Sequence, residues 1–254
     1  MVILKTKEEI NKIQIANKII AELLNNILPQ YIKPGISTWE LDKIAENYII
    51  KQGARSGFKG YKVGKFTFPA TICTTVNEEV VHGIPSKKKI LKVGDIIGID
   101  IGTIVEGYYG DAAKTFAVGK ISDYDKRLLE ITEQAVYIGI KKAKVGNRVS
   151  DIGNAIQKFI EKQGFVIIKN YCGHGVGKYL HEEPKIPNFG KKGIGSEIKN
   201  GMVFTIEPIV TTGKYKIELL ANNWTTVMEE KQRSAHFEHT IAIVDGVAKI
   251  LSEV

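Results

Sequence analysis

The sequence predicts an α/β protein of the α+β kind, with helices outside a curved, mostly antiparallel sheet and two related halves. Three observations carry this: an internal echo, matching pairs of acids in apolar runs, and the order of helical and extended segments. The stretch "PGISTWELDKIAENYIIKQG" (34–53) aligns with "VGNRVSDIGNAIQKFIEKQG" (145–164) at a constant offset of 111. Gly35 falls on Gly146, Leu41 on Ile152, Tyr48 on Phe159, and Gln52-Gly53 on Gln163-Gly164. An offset that long excludes a solenoid. One domain over residues 1–254 is expected, with internal halves at about 1–119 and 120–254.

The elements follow in order. A helix is expected over 7–28, where Thr6 and Glu9 have capping-box spacing, and another over 38–52, opened by Ser37 and Glu40. Helices over 123–144 and 149–163 place apolar residues at helical spacing, and the repeated pair stops on Gly53 and Gly164. Strands are expected near 66–76, 95–104, 111–118, 165–172, 202–211, 215–220, 223–229 and 234–244. The acids keep register too. Gly94 precedes Asp100 by six residues as Gly201 precedes Glu207, and Asp111 precedes Gly119 by eight as Glu238 precedes Gly246.

Composition narrows the class. The 43% hydrophobic and 25% charged content is that of a soluble globular protein. No run approaches the roughly 18 apolar residues of a membrane span. The opening, "MVILKTKEEI", has no secretory apolar core, and two cysteines, Cys73 and Cys172, fit a reducing cytoplasm better than a disulfide framework. The net charge of +8 comes from scattered lysines with no nucleic-acid motif beside them.

In "DIIGIDIGTIVEGYYGDAAKTF" (95–116), Asp100 interrupts a β-branched run and Asp111 opens the next. A buried carboxylate needs a charged partner or a metal. Lys114 is the only basic residue within these strands, so four converging acids call for cations. Oxygen-rich ligation with one imidazole suits Mn, Fe, Co or Zn. The imidazole candidate is His174 in "YCGHGVGKYLHEEP", between glycines that permit close backbone approach. "GHGVGK" satisfies neither nucleotide-loop spacing: Lys178 stands where a third glycine belongs, and Tyr179 where a phosphate loop has Ser or Thr.

Taken in order, "VNEEVVHGIP", "GIDIG", "YYGDAAKTF", "CGHGVG", "LHEEP", "FTIEPI" and "HFEHT" resemble the type I methionine aminopeptidases in their short bacterial form. The resemblance spans about residues 3–251. It implies the duplicated pita-bread fold and two divalent ions (Co, Mn, Fe or Zn) between the halves. The activity implied is removal of the N-terminal methionine from nascent chains and peptides whose second residue is small, by a metal-activated water. Asp100, Asp111, His174, Glu207 and Glu238 are the implied metal ligands, and all five are intact. His82, His181 and Glu207 are the implied catalytic residues, the two histidines also touching substrate. Phe58, Phe68, Cys73, Leu180 and Trp224 would wall the methionine pocket. Proximity to the ribosome is expected from the nascent substrate and basic surface, and nothing demands more than a monomer.

This chain departs from the family pattern in three places. Extra residues near 62–67 sit where the family has a tighter turn over the pocket, and Leu180 replaces a frequent aromatic. His236 stands where Gln is usual; two residues before Glu238, it is expected either to share the site's face of the strand or to lie at the surface.

Overall fold

A computed structural model describes residues 2–254. Helix α1 (Lys7–Glu22) opens on the expected capping box: Glu9 N donates to Thr6 Oγ1 at 3.2 Å and Thr6 N to Glu9 Oε2 at 2.9 Å. The helical path continues through a π turn (Leu23–Ile27) and a 3₁₀ turn (Leu28–Gln30), where Pro29 has no N–H to extend the α ladder. Helix α2 (Thr38–Lys51) begins with the second capping box, at Ser37 and Glu40. Helices α3 (Asp123–Lys142) and α4 (Val149–Lys162) complete the set, each ending within two residues of its expected end.

The longest strands, Ile96–Val105 and Tyr108–Ala117, form a hairpin closed by Glu106 and Gly107, both at positive φ (49° and 81°). Such a two-residue turn matches the natural twist of paired strands. Arg55–Ser56 and Ile72–Val76 pair one after the other along the free edge of Ile96–Val105, giving a four-stranded antiparallel sheet. A five-stranded antiparallel sheet runs in the order Glu182–Ile186, Gly173–Gly175, Val203–Ile206, His239–Val244, Val247–Ile250. Three smaller sheets complete the ladders among the described residues. Three expected strands are split, the 66–76 run into Phe66–Thr67 and Ile72–Val76 around Pro69. The 202–211 run breaks at Glu207-Pro208, where proline cannot donate to a ladder, and the 234–244 run breaks at Phe237-Glu238. The two large sheets meet at a bridge between Ala113 and Glu238, whose N–H donates to Ala113 O at 2.9 Å.

Each half of the sequence echo has its own core. Leu41, Ala45 and Ile49 of α2 pack with Ile97, Ile99 and Ile101, while Ile152, Ile156 and Ile160 of α4 pack with α3 and Phe204. The matched residues play matched parts: Leu41 and Ile152 are both fully buried. Gly35 and Gly146 share φ near +95° and +91°, and Gly94 and Gly201 share +91° and +85°. L side chains rarely adopt that region, which is why glycine recurs there.

Helix α1 lies directly on the Asp111 strand. The buried Asn17 accepts from Asp111 N at 3.2 Å and donates to Ile13 O at 2.9 Å. Gly110 makes this approach possible, because a Cβ there would lie 2.8 Å from Asn17 N and 2.9 Å from Ala16 C, both backbone atoms. Gly110→Ala is therefore expected to push α1 outward and destabilise the protein by about 1–3 kcal/mol, the usual cost of overpacking. Denaturant unfolding measures this, and an unchanged midpoint would show that the contact bears no load.

Candidate metal centre

Five side chains from five separate segments line one cavity of about 410 Å³. Asp100 and Asp111 come from the two strands of the long hairpin, where their opposite numbers are Ala113 and Gly102. His174 is the middle residue of the short Gly173–Gly175 strand. Glu207 and Glu238 occupy two of the strand breaks, where the chain leaves its ladder and turns a carboxylate inward. The donor atoms of Asp111, His174 and Glu238 all lie within 4.8 Å of one another. His174 Nε2 stands 3.6 Å from both Asp111 Oδ2 and Glu207 Oε1.

His174 is oriented by its neighbours. Its Nδ1 lies 3.0 Å from the Gly175 carbonyl, which can only accept, so Nδ1 carries the proton and Nε2 aims a lone pair at the acids. That is the arrangement a metal-binding imidazole needs. Thr205 ties two of the five together, donating to Glu207 Oε1 at 2.7 Å and accepting from His174 N at 3.1 Å. The flanking glycines do what the sequence predicts: a Cβ on Gly173 would collide with Thr205 O, and one on Gly175 with Glu183 O.

Among the described residues no lysine or arginine forms an ion pair with these acids. Lys114 turns away to Asn25 Oδ1 at 3.0 Å. Asp100 Oδ1 and Asp111 Oδ1 are buried without a hydrogen-bond partner. Burial pushes the Asp100 carboxyl up to about 7 and Glu207 to about 8. Asp111 and Glu238 rise well above the usual carboxylate range, through burial first and neighbouring acids second. Burial also holds the His174 imidazole down near 3, hence neutral. Orphaned carboxylate oxygens around a neutral, aimed imidazole fit a hard or borderline divalent cation.

The rest of the cavity is apolar and aromatic. Phe58, Phe68, Cys73 and Leu180 form one buried cluster with Trp224 against it. Phe68 meets Trp224 edge to face at 5.2 Å and Phe58 at 6.5 Å. All five expected pocket residues therefore line the same space as the acids. His82 and His181 stand at its mouth, exposed to solvent. His82 holds φ +55°, a strained conformation for a non-glycine residue of the kind that concentrates at functional sites. His181 lies against His174, ring centres 4.3 Å apart and planes tilted by 58°.

Residues 11–245 match the model of metallopeptidase family M24. The chain belongs to that family. It is 50% identical to methionine aminopeptidase 1 of Bacillus subtilis over 254 residues, all of both chains. It is 45% identical to the methionine aminopeptidase of Clostridium acetobutylicum over 252 residues, 99% of each. The crystal structure of the Thermotoga maritima methionine aminopeptidase superposes with a TM-score of 0.96 at 39% identity, covering all of both chains. The fold is the duplicated pita-bread arrangement that the sequence implies, in a metallopeptidase.

Six further residues of this family member's cavity escaped sequence reading as site residues: Tyr61, Val63, Val81, Tyr171, Cys172 and Lys185. The extra residues near 62–67 form a small hairpin, Lys62–Val63 against Phe66–Thr67, which brings Val63 to the rim. His236 proves buried, its Nε2 without a hydrogen-bond partner and 3.9 Å from Glu207 Oε2. It faces the site, not the surface, although the strand that was to carry it alongside Glu238 is broken between them.

The raised carboxyls set a pH dependence with a definite sign. A carboxyl whose folded pKa is raised contributes stability below its unfolded pKa and loses it as pH climbs through the folded value. The depressed histidines act only below their ordinary 6.5, so from about pH 6.5 to 8 the four raised carboxyls set the slope. Chelator-treated protein is expected to lose thermal stability across that window, and added Mn or Co to restore it with release of protons. Differential scanning calorimetry at stepped pH measures the loss. A flat melting temperature in metal-free protein would contradict the electrostatic account.

Proposed function

We propose that this chain is a methionine aminopeptidase, hydrolysing the first peptide bond of chains that begin with methionine and carry a small second residue. The observation supporting this most strongly is the juxtaposition of the buried acid–imidazole cluster with a closed aromatic and sulfur-bearing wall. A thioether suits such a wall, since aromatic faces and a cysteine sulfur offer polarisable contact without competing hydrogen bonds.

Asp100, Asp111, His174, Glu207 and Glu238 are the residues that would hold two divalent ions, of Co, Mn, Fe or Zn. When bound, the pair supplies an activated water and Lewis acidity at the scissile carbonyl. The chain's own residues do the remainder. Glu207, which accepts from Thr205, is suited to take a proton from the attacking water and deliver it to the leaving amine. His181 donates to the carbonyl oxygen as negative charge develops there. His82, at the mouth beside Trp224, with 6.4 Å between ring centres, contacts the substrate backbone. Phe58, Phe68, Cys73, Leu180 and Trp224 receive the methionine side chain. The second residue then faces the acids and His82, a crowded wall that excludes long side chains.

The two halves, about 1–119 and 120–254, form one catalytic domain acting as a monomer in the cytoplasm on nascent polypeptides, with the basic surface favouring proximity to the ribosome. No helix among the described residues is long and apolar enough to cross a membrane.

Two experiments test this reading. Met-Ala-Ser should release methionine in the presence of Mn or Co, and Met-Leu-Ser should react at least about 100-fold more slowly in kcat/KM, because a misplacement of about 1 Å at the reacting carbon costs that much. Equal rates would refute the crowded-wall argument. Asp111→Asn should bind fewer than two ions by calorimetry and lose activity by several orders of magnitude while its circular dichroism is unchanged; full metal occupancy with unchanged turnover would remove Asp111 from the ligand set.

A further inference from the structure

Tyr61 and His181 lie 120 residues apart in the chain and meet at the cavity mouth. Their rings stand edge to face with centres 5.6 Å apart, and Tyr61 Oη is 2.8 Å from His181 Nδ1. Tyr61 is held from both sides of its backbone. Its N–H donates to Phe58 O at 2.8 Å, and its carbonyl accepts from Phe68 N at 2.8 Å. The second bond is the base of the 62–67 hairpin, so the extra residues of this chain close over the root of Tyr61.

A neutral imidazole has one N–H and one lone pair, and the partner of one nitrogen decides which nitrogen keeps the proton. Two arrangements satisfy the contact. In one, the phenol donates to Nδ1 and leaves Nε2–H free to face the cavity. In the other, Nδ1–H donates to the phenol oxygen and Nε2 becomes a bare acceptor. The phenol proton, with an ordinary pKa of about 10, is far more acidic than a neutral imidazole N–H, and imidazole nitrogen is a better base than phenol oxygen. The first arrangement therefore pairs the better donor with the better acceptor. Burial raises the Tyr61 phenol further, so it keeps its proton at neutral pH.

We propose that Tyr61 is a positioning residue that holds His181 in its Nε2–H tautomer, so that a hydrogen-bond donor faces the scissile carbonyl. The inference rests on the oxyanion role given to His181 above. A bare Nε2 would repel the growing oxyanion, whereas Nε2–H stabilises it. No proton is gained or lost by either residue during turnover; Tyr61 sets only the direction in which His181 presents its single proton.

Tyr61→Phe keeps the ring and its edge-to-face contact and removes only the O–H. Its kcat should fall roughly 3- to 10-fold, the scale of one neutral hydrogen bond, with KM and Mn affinity unchanged. In ¹⁵N NMR of histidine-labelled protein, with His181 assigned by its loss in His181→Ala, the Nδ1 signal should move from the unprotonated position toward a tautomer mixture in Tyr61→Phe. His181→Ala alone should slow turnover by roughly 10²–10³, and adding Tyr61→Phe to it should cost nothing more. A protonated Nδ1 in the unaltered protein, an effect confined to KM, or an undiminished Tyr61→Phe effect in the His181→Ala background overturns the proposal. If His181→Ala leaves kcat unchanged, the oxyanion role falls instead, and the NMR arm still decides the tautomer by itself.

Discussion

Four carboxyl groups share a cavity in which, among the described residues, no lysine or arginine pairs with them: Lys185 lines it without an ion pair to any acid, and Lys114 turns away. The rest of the structure is arranged around that unbalanced charge. Without a cation the acids retain protons, and burial penalises each charge they acquire. With a divalent ion the same burial becomes an advantage, because a low-dielectric surround strengthens every ion–carboxylate contact. The neutral His174, with its outward nitrogen committed to the Gly175 carbonyl, completes a donor set that is otherwise all oxygen.

The scaffold delivers these groups by interrupting its own sheets. An uninterrupted strand alternates its side chains between two faces and exposes half of them to the wrong side. Breaks at Glu207-Pro208 and Phe237-Glu238 free two carboxylates from that alternation. Backbone order survives the breaks because neighbours take over the lost bonds. Asn188 donates to Glu207 O at 3.1 Å, and Glu238 N reaches across to Ala113 O. Asp111 is fixed in the same spirit: Asn17 receives its N–H, and Thr240 donates to its carbonyl at 2.6 Å.

What could be read beforehand follows from which signals are local. Thr6, Ser37 and the repeat glycines announced their helices and turns because caps and positive-φ sites depend on a few adjacent residues. The acids were legible because Asp100 and Asp111 violate the apolar pattern around them, and the imidazole because its glycines have no other purpose. Gly173–Gly175 and Glu182–Ile186 were missed as strands, since glycine, proline and charge oppose β propensity and only tertiary approach makes them pair. The Val247–Ile250 edge strand is short and mostly solvent-facing, so it gives no buried periodicity. Tyr61 and the burial of His236 were illegible for a different reason: each depends on a partner more than a hundred residues away, His181 for one and Thr115 for the other.

The bridge from Ala113 to Glu238 joins residues 125 positions apart and ties the two large sheets at the point where the acids converge. Synthesis from the N-terminus therefore produces the first half of the cluster long before the second. Until residue 238 has emerged, Asp100, Asp111, His174 and Glu207 face an unfinished wall that lacks the fourth acid. Completion of the acid cluster is then coupled to the meeting of the two large sheets.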